Sequence, residues 1–168
     1  MKDLSVISRL RAMISSKKQP INVDVSTVIK VLQDDVVLTS SILRETQYVG
    51  ESKEGRVQKR ISEQLQKIYG LDNVQIEYNV GGYWGMRSDI DLFDGQIGIE
   101  LKIAEQLKKA ANVERLIGQV VYYTKRKYAF GYLIVLVVGK AKEYDASMKE
   151  IEQIINESGG SFIYKAIA

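Results

Sequence analysis

The sequence predicts an α/β protein with a mixed β-sheet and helices on its faces. Polar and apolar residues alternate from Asn73 to Val80, as in a strand with one buried face. Two short strands flank the dipeptide Asp94-Gly95, and the continuous apolar run from Gly131 to Val138 fits a strand buried on both faces. Helical patterns separate these strands. An antiparallel hairpin followed by a helical crossover into a buried strand gives a mixed sheet.

The first part of the chain, residues 1–50, predicts a helical extension to the main domain. Apolar residues recur at helical spacing from Lys2 to about Lys18. A second helix follows with Asp24 or Ser26 as its cap, and the segment from Val36 to Leu43 fits either a strand or a helix. This part carries no chemical motif, so a helical cover and a dimerisation element are both consistent with it.

Residues 51–168 form the predicted main domain, which begins with a helix from Glu51 to Tyr69. Apolar residues recur at helical intervals along it, and Gly70 follows as a terminating residue. Glu54 lies one turn before the first of these apolar residues on the same stripe, so it is expected to point toward whatever that face covers. An acid is also favoured near a helix amino terminus for its own sake, and the sequence does not separate the two explanations.

The segment from Ser88 to Lys102 predicts an antiparallel hairpin. Its Asp94-Gly95 dipeptide suits a two-residue type I′ turn, because both central positions need positive φ. On that register Ile90 lies opposite Ile99 on one apolar face, and a slip of one residue would place apolar side chains opposite polar positions. The other face then carries four functional side chains, those of Asp89, Asp91, Glu100 and Lys102.

The acidic face of the hairpin is a candidate metal site. Asp89 lies opposite Glu100 on this register, and directly opposed residues in an antiparallel pair have Cβ atoms roughly 5 Å apart. Two carboxylates at that distance repel each other without a cation, whereas magnesium is commonly held by one or two carboxylates together with water and phosphate oxygens. The competing interpretation makes Glu100 and Lys102 exposed strand residues that pair with Arg87 and Asp89 across the hairpin.

After the hairpin, the sequence predicts a long helix from about Ala104 to Lys125. One flank of this helix carries three polar-tipped side chains at successive i, i+4 spacings, those of Arg115, Gln119 and Tyr123. Such a flank is either the edge of a site or a solvated surface. Beyond the central strand, a helix from Glu143 to Glu157 and a strand from Ser161 to Ile167 complete the predicted fold.

Composition removes several classes of chemistry. The 168-residue chain has no cysteine and no histidine, which excludes disulfides, thiol nucleophiles, histidine-ligated metals and Ser-His-Asp triads. Its formal charge of +3 permits nucleic-acid binding without requiring it. No apolar run reaches about 18 residues, the length of a membrane span, and the amino terminus has no signal-peptide profile. An intracellular protein without membrane association is therefore expected.

Several of these residues resemble a known family. Asp89, followed on the next strand by Glu100-Leu101-Lys102, resembles the PD-(D/E)xK motif of the restriction-endonuclease-like superfamily, whose core has the order αβββαβ. The stretch from Gln119 to Tyr123 is similar to the Q-x-x-x-Y element of the RecB-like branch, and archaeal Holliday-junction resolvases share the helix glutamate and the hairpin. The resemblance covers about half the chain, from Glu51 to Val138, with Ser88 where the motif name has proline. It implies the αβββαβ core plus an appended carboxy-terminal helix and strand.

The resemblance implies a nuclease that uses Mg²⁺ or Mn²⁺ to hydrolyse phosphodiester bonds in nucleic acid, with DNA as the favoured substrate. Asp89 and Glu100 would bind the metal, and Glu54 would complete the site, with Glu51 as the fallback. Asp91 is an alternative to Asp89, because it shares the face and lies diagonally within reach of Glu100. A homodimer is a further expectation from the habits of the family.

The resemblance also assigns roles to the remaining polar residues. Lys102 would orient or activate the attacking water and offset charge that develops on the phosphate. Gln119 and Tyr123 would position the substrate or the lysine. Apart from the resemblance, basic side chains near the site are candidates for contacts with nucleic acid, namely Arg87, Lys108, Lys109, Arg115, Lys125, Arg126 and Lys127. The competing function is a catalytically silent nucleic-acid-binding or assembly module on the same fold.

Overall fold

In the computed structural model, a five-stranded mixed sheet carries helices on both faces, which confirms the predicted fold class at the level of α/β architecture. The structure describes residues 24–44, 52–79, 87–125 and 132–168, without the side chains of residues 77–79 and 87. The helix predicted from Lys2 to Lys18 lies outside these residues. None of the described helices is long and apolar enough to cross a membrane.

The described elements follow the predicted order along the chain. The helices are α1 (Val25–Lys30), α2 (Lys53–Tyr69), α3 (Ala110–Lys125) and α4 (Ala146–Glu157). The strands are β1 (Val74–Asn79), β2 (Arg87–Leu92), β3 (Ile97–Ile103), β4 (Tyr132–Lys140) and β5 (Ser161–Ile167). Shorter helical turns are a π-helical turn at Val31–Asp35 and 3₁₀ turns at Ser40–Leu43, Leu71–Asn73, Ala104–Lys108 and Ala141–Glu143.

The five strands lie side by side in sequence order. β1, β2 and β3 are antiparallel neighbours, whereas β4 runs parallel to both β3 and β5. The crossover from β3 to β4 runs through α3, and the crossover from β4 to β5 runs through α4. Both crossovers are helical because a parallel connection has to carry the chain back along the full length of the sheet.

The sheet separates two apolar cores. On one face, α1 and α2 share a core with Ile99 and Leu101 of β3. On the other face, α3 and α4 share a core with Val135 and Val137 of β4. Residues 133–139 of β4 are all buried, because alternate side chains enter the two cores. The prediction of a strand buried on both faces is confirmed, and β4 lies inside the sheet between β3 and β5, although the middle strand is β3.

The hairpin has the predicted register but a wider turn. Ile90 pairs with Ile99 and Leu92 with Ile97, as the apolar face required. The expected two-residue turn is wrong, since residues 93–96 connect the strands and Phe93 joins Asp94 and Gly95 at positive φ. The cause lies in Phe93, which is buried against the Tyr69 ring at 5.1 Å between centroids and donates its N–H to Asn73 at 3.0 Å.

The single helix expected from Ala104 to Lys125 is divided in two. A 3₁₀ segment, Ala104–Lys108, precedes α3, and the backbone of Lys109 between them is extended. Ala104 and Leu107 are buried, whereas Ala110 and Ala111, predicted on the apolar stripe, are exposed. The break redirects the chain after β3, so the 3₁₀ segment packs at the carboxyl end of the sheet.

Helix starts shift by up to three residues from their predicted positions. α2 begins at Lys53, where the side chain of Ser52 accepts the N–H of Gly55. α4 begins at Ala146 rather than at Glu143, because Asp145 caps it. Asp24 caps α1, which settles the open choice between Asp24 and Ser26. The ambiguous segment from Val36 to Leu43 is extended at first and ends in the 3₁₀ turn Ser40–Leu43.

Gly139 fixes how closely the 3₁₀ segment approaches β4. A Cβ at this position would lie 2.4 Å from Cβ of Ala104 and 2.6 Å from the hydroxyl of Tyr164. Neither neighbour can move easily, since Ala104 is fully buried and the Tyr164 hydroxyl donates to the carbonyl of Lys140 at 2.6 Å. Only glycine fits between them.

Gly139→Ala is expected to destabilise the protein by about 1–3 kcal/mol, because the added methyl group overpacks a closed contact. Gly118→Ala is the matched control. A Cβ on Gly118 in α3 would meet nothing within 4 Å, so this change should stabilise by about 0.5–1 kcal/mol through helix propensity. Denaturant unfolding of both variants measures the two effects, and equal behaviour of the pair would contradict the tight contact at Gly139.

Candidate active site

β3 presents its polar side chains on the face of the sheet covered by α3. Side chains alternate along a strand, and Ile99 and Leu101 enter the core under α2. Glu100 and Lys102 therefore point to the opposite face. The apolar pairs of the hairpin are buried only in this register, and this register puts Glu100 and Lys102 on the opposite face.

Glu100 is a buried carboxylate, with 1% of its surface exposed. Its Oε1 lies 2.8 Å from Nζ of Lys102, and its buried Oε2 has no hydrogen-bond partner among the described residues. The pKa of Glu100 is raised to about 7, chiefly by burial and then by the charges of Asp89 and Glu54, while Lys102 acts in the opposite direction. The alternative in which Glu100 is an exposed strand residue is therefore wrong.

Lys102 bridges two acids and a carbonyl. Its Nζ lies 2.8 Å from Glu100, 3.5 Å from Oε1 of Glu54 and 2.8 Å from the carbonyl oxygen of Leu101. Burial alone would lower the pKa of Lys102, but the negative charges of Glu100, Asp89 and Glu54 outweigh it, so the pKa lies above its usual value. Lys102 carries its proton at neutral pH.

Asp89 reaches across from β2 to β3 through its side chain. Its Oδ2 accepts the backbone N–H of Leu101 at 2.6 Å, and its carbonyl oxygen accepts a hydrogen bond from Gln58 of α2 at 2.6 Å. These bonds hold the carboxylate beside β3, close enough for its charge to raise the pKa of Glu100. Asp91, the alternative ligand, is buried opposite Gly98.

Helix α3 brings its predicted flank onto the same face. Tyr123 is fully buried, and its pKa is raised first by burial and then by the charges of Glu100 and Asp89, while a hydrogen bond with Gln119 lowers it. Gln119 is half-buried, and its Oε1 has no hydrogen-bond partner among the described residues. Arg115 is exposed at the outer end of the flank, yet its charge still acts on Tyr123. The flank faces the carboxylates and not solvent alone.

A cavity of about 400 Å³, which we call the acidic-site cavity, opens beside Lys102, Arg115 and Gln119. Its wall consists of Glu54, Lys102, Gln106, Leu107, Lys109, Asn112, Arg115 and Gln119. Gln106 and Asn112 were missed by the sequence prediction. Asn112 lies three residues before Arg115, so extending the i, i+3 and i, i+4 spacing by one turn finds it. Gln106 gives no such signal, because it precedes the break in the helix.

Four of the predicted residues cannot be placed at this cavity. The side chain of Arg87 and the residues Glu51, Arg126 and Lys127 lie outside the described part of the chain. Lys125 is described and exposed at the end of α3, but it does not line the acidic-site cavity.

The donor set suits a hard divalent cation, because all its candidate ligands are carboxylate oxygens. The Oε2 atom of Glu100 is buried and has no hydrogen-bond partner among the described residues, so it is the atom that would accept a cation. Within the described residues, however, no three acidic side chains are gathered into a preformed metal site. Lys102 instead holds Glu54 and Glu100 by its ammonium group. The residues therefore fit a site of two carboxylates with Glu54 in a supporting place.

Comparisons with known proteins give no relative. No family model matches this chain, and no curated protein or solved structure matches it either.

The raised pKa of Glu100 gives a test of its burial. In the folded protein this group takes up a proton near pH 7, whereas an ordinary glutamate does so near 4.5. Between these values the folded state binds more protons than the unfolded chain. The contribution of Glu100 to the free energy of unfolding therefore falls as the pH rises from about 4.5 to about 7, and is constant above that.

Glu100→Gln stays neutral at every pH and is expected to escape this loss. Relative to wild type it should gain on the order of 2–3 kcal/mol of stability between about pH 5 and pH 8. Urea unfolding at both pH values, with chelator present, measures the change. Glu114→Gln, which removes an exposed acid from α3, is the control and should follow wild type. Parallel stability curves for wild type and Glu100→Gln would contradict the buried, proton-binding carboxylate.

Proposed function

We propose that this chain is a metal-dependent nuclease of the PD-(D/E)xK type that hydrolyses phosphodiester bonds in nucleic acid. The observation that carries the proposal is Glu100. One oxygen of this buried carboxylate has no hydrogen-bond partner among the described residues, and a second carboxylate and a protonated lysine, at 2.8 Å, lie beside it. Burying such a charged group costs free energy and gives little stability in return. Groups of this kind are concentrated at functional sites.

The architecture supports the same proposal. Helix α2, strands β1 to β3, helix α3 and strand β4 follow the αβββαβ order of the restriction-endonuclease-like core, in a mixed sheet. The acids and the lysine come from β2, β3 and the first turn of α2, which are the elements that carry the motif in that superfamily. A shared order of helices and strands does not by itself establish a shared activity, so the proposal rests on the chemistry of the site.

Asp89 and Glu100 would hold a Mg²⁺ or Mn²⁺ ion, with Glu54 as the supporting acid. When bound, such an ion supplies Lewis acidity toward a phosphate oxygen and toward the attacking water. Binding requires Glu100 to be deprotonated, and its pKa of about 7 makes that state accessible at neutral pH.

Lys102 supplies positive charge where the reaction needs it. Its raised pKa keeps the proton on Nζ, so Lys102 acts as a cation and hydrogen-bond donor rather than as a base. Such a group stabilises the negative charge that builds up on the phosphate in the transition state. Its three contacts fix Nζ at the wall of the acidic-site cavity, so the charge is already oriented before substrate arrives.

Helix α3 holds the acids and meets the substrate. Tyr123 is packed in the core beside Glu100 and Asp89, and Gln119 connects its hydroxyl to the wall of the cavity. Arg115 and Lys109 add two positive charges to that wall, which favours a polyanionic ligand. The nucleic-acid backbone is the polyanion that this arrangement and the proposed chemistry share, and DNA is the favoured form.

One observation favours the competing function, a catalytically silent module on the same fold. Lys102 ties Glu54 and Glu100 into an ion-pair network, and the described residues contain no preformed group of three acids. A network that stays closed would bind no metal. Calorimetric titration with Mn²⁺ separates the two functions, because only the nuclease has a site that Glu100→Ala abolishes.

Alanine at Asp89, Glu100 or Lys102 is expected to reduce cleavage by a hundredfold or more, since each change removes a carboxylate ligand or the fixed cation. Glu114→Ala on the exposed face of α3 should leave the rate unchanged. The measurement is Mg²⁺-dependent cleavage of labelled linear, branched and circular DNA and of RNA, with circular dichroism to establish that each variant is folded. Wild-type turnover in any one of the three variants would contradict the assignment of these residues to the active site.

Gln119→Ala and Tyr123→Phe are expected to weaken cleavage roughly tenfold rather than to remove it, because these side chains position other groups. Tyr123→Phe keeps the ring in the core and loses only the hydroxyl. Tyr122→Phe, one residue earlier on α3, is the matched control and should not change the rate. Unchanged kinetics in both test variants would contradict the positioning role and indicate that this flank of α3 serves only in packing.

A further inference from the structure

A second cavity lies at the carboxyl ends of the three parallel strands. It has a volume of about 660 Å³, and its wall includes Ile103 of β3, Lys140 of β4 and Ile167 of β5. We call it the strand-end pocket. In open α/β sheets, ligands bind in crevices outside the carboxyl ends of the parallel strands. The volume falls in the range of small-molecule sites, which run from about 300 to 1,000 Å³.

The strand-end pocket is strongly basic. Two acidic side chains, Glu105 and Glu143, face five basic ones, and these are Arg44, Lys53, Lys108, Lys140 and Lys142. The wall thus carries a side-chain excess of three positive charges.

Both acids in the pocket already have partners. Glu105 lies 2.9 Å from Nζ of Lys53, and Glu143 lies 3.6 Å from Nζ of Lys108 and accepts the backbone N–H of Lys140 at 2.7 Å. The pKa of Glu105 is held low by its hydrogen bond to Lys53, with Lys108 and Lys140 adding to the effect.

Three cations are left to act on a ligand: Lys140, Lys142 and Arg44, which donates to the hydroxyl of Ser40 at 2.9 Å. Lys140 and Lys142 form no ion pair with any residue that the structure describes. Both are exposed at the rim, at the end of β4 and in the 3₁₀ turn that follows it. Their ammonium groups are therefore available to a ligand at the rim.

The strand-end pocket shares a wall with the acidic-site cavity. Glu105 and Lys108 of the 3₁₀ segment face the strand-end pocket, while Gln106 and Leu107 face the acidic-site cavity. The start of α2 is divided in the same way, with Lys53 on one side and Glu54 on the other. A strand bound in one cavity is thus only one wall away from the other.

We infer that the strand-end pocket binds a phosphomonoester, and that the terminal phosphate of a nucleic-acid strand is the form it takes. A phosphomonoester carries about −1.5 to −2 charges at pH 7, whereas each internal phosphodiester carries one. The two lysines at the rim, with Arg44 in the same wall, match the monoester better than a single internal phosphodiester does. The nucleic-acid form of this inference rests on the proposed nuclease function, and the phosphate site itself stands on the charges and volume of the pocket.

The test is fluorescence anisotropy with a short single-stranded DNA in EDTA, so that no cleavage takes place. Three versions of the strand are compared, with a 5′ phosphate, with a 3′ phosphate and with two hydroxyl ends. Wild type is expected to bind one phosphorylated version on the order of tenfold more tightly than the hydroxyl version. In Lys140→Gln/Lys142→Gln this preference should disappear, and affinity for the hydroxyl version should fall by no more than it does in Lys59→Gln/Lys67→Gln.

Lys59→Gln/Lys67→Gln is the charge-matched control, because it removes two exposed lysines from α2 far from the wall of the pocket. It should keep the preference. Displacement of the strand by adenosine monophosphate as effectively as by a phosphorylated oligonucleotide would identify a free nucleotide as the source of the phosphate. Equal binding of all three strands by wild type, or equal loss of preference in both double variants, would overturn the inference. Because metal is absent, these outcomes do not depend on whether the chain cleaves DNA.

Discussion

The buried pair of Glu100 and Lys102 is the interaction on which the site depends. A carboxylate on the middle strand of the sheet has to be stripped of water, and the 2.8 Å contact with an ammonium group is what makes that tolerable. The compensation is incomplete, since one carboxylate oxygen has no hydrogen-bond partner in the described part of the chain and the pKa of Glu100 rises to about 7. An apolar pair of the same volume would be less costly to bury. The sequence retains charge in a place where packing alone would favour its removal.

The same lysine also determines how α2 meets the sheet. Consecutive residues at the start of α2 make two ion pairs at the end of β3: Glu54 with Lys102, and Lys53 with Glu105. The first pair is largely shielded from water and the second is exposed, so the first contributes more to the position of the helix. Gln58, one turn further along α2, donates to the backbone of Asp89. Helix α2 is thereby fixed to both strands that supply carboxylates.

Sequence patterns predicted the faces of the hairpin because a strand has a side-chain period of two and the apolar pairs fix its register. They could not predict how deeply Glu100 is buried. That depth depends on Tyr123, which lies on a different element and reaches the acid only through the tertiary fold. Neither could they predict that Lys102 would bridge Glu54 and Glu100, since the three residues converge only when α2 docks against β3.

The break before α3 shows the same limit. Residues 104–125 are rich in good helix formers, so local propensity favours one continuous helix. The chain instead forms a 3₁₀ turn that places Ala104 against Gly139, a contact that no local pattern contains. Tertiary packing overrides propensity at this point.

That 3₁₀ turn is a partition only one helical segment thick, with a cavity on each side. Thermodynamic linkage makes any coupling between ligands in the two cavities reciprocal. If a group bound on one side displaces the segment, affinity on the other side changes by some factor, and occupancy of the second cavity must change affinity for the first by the same factor. The close contact of the buried Ala104 with Gly139 holds the start of this partition against β4.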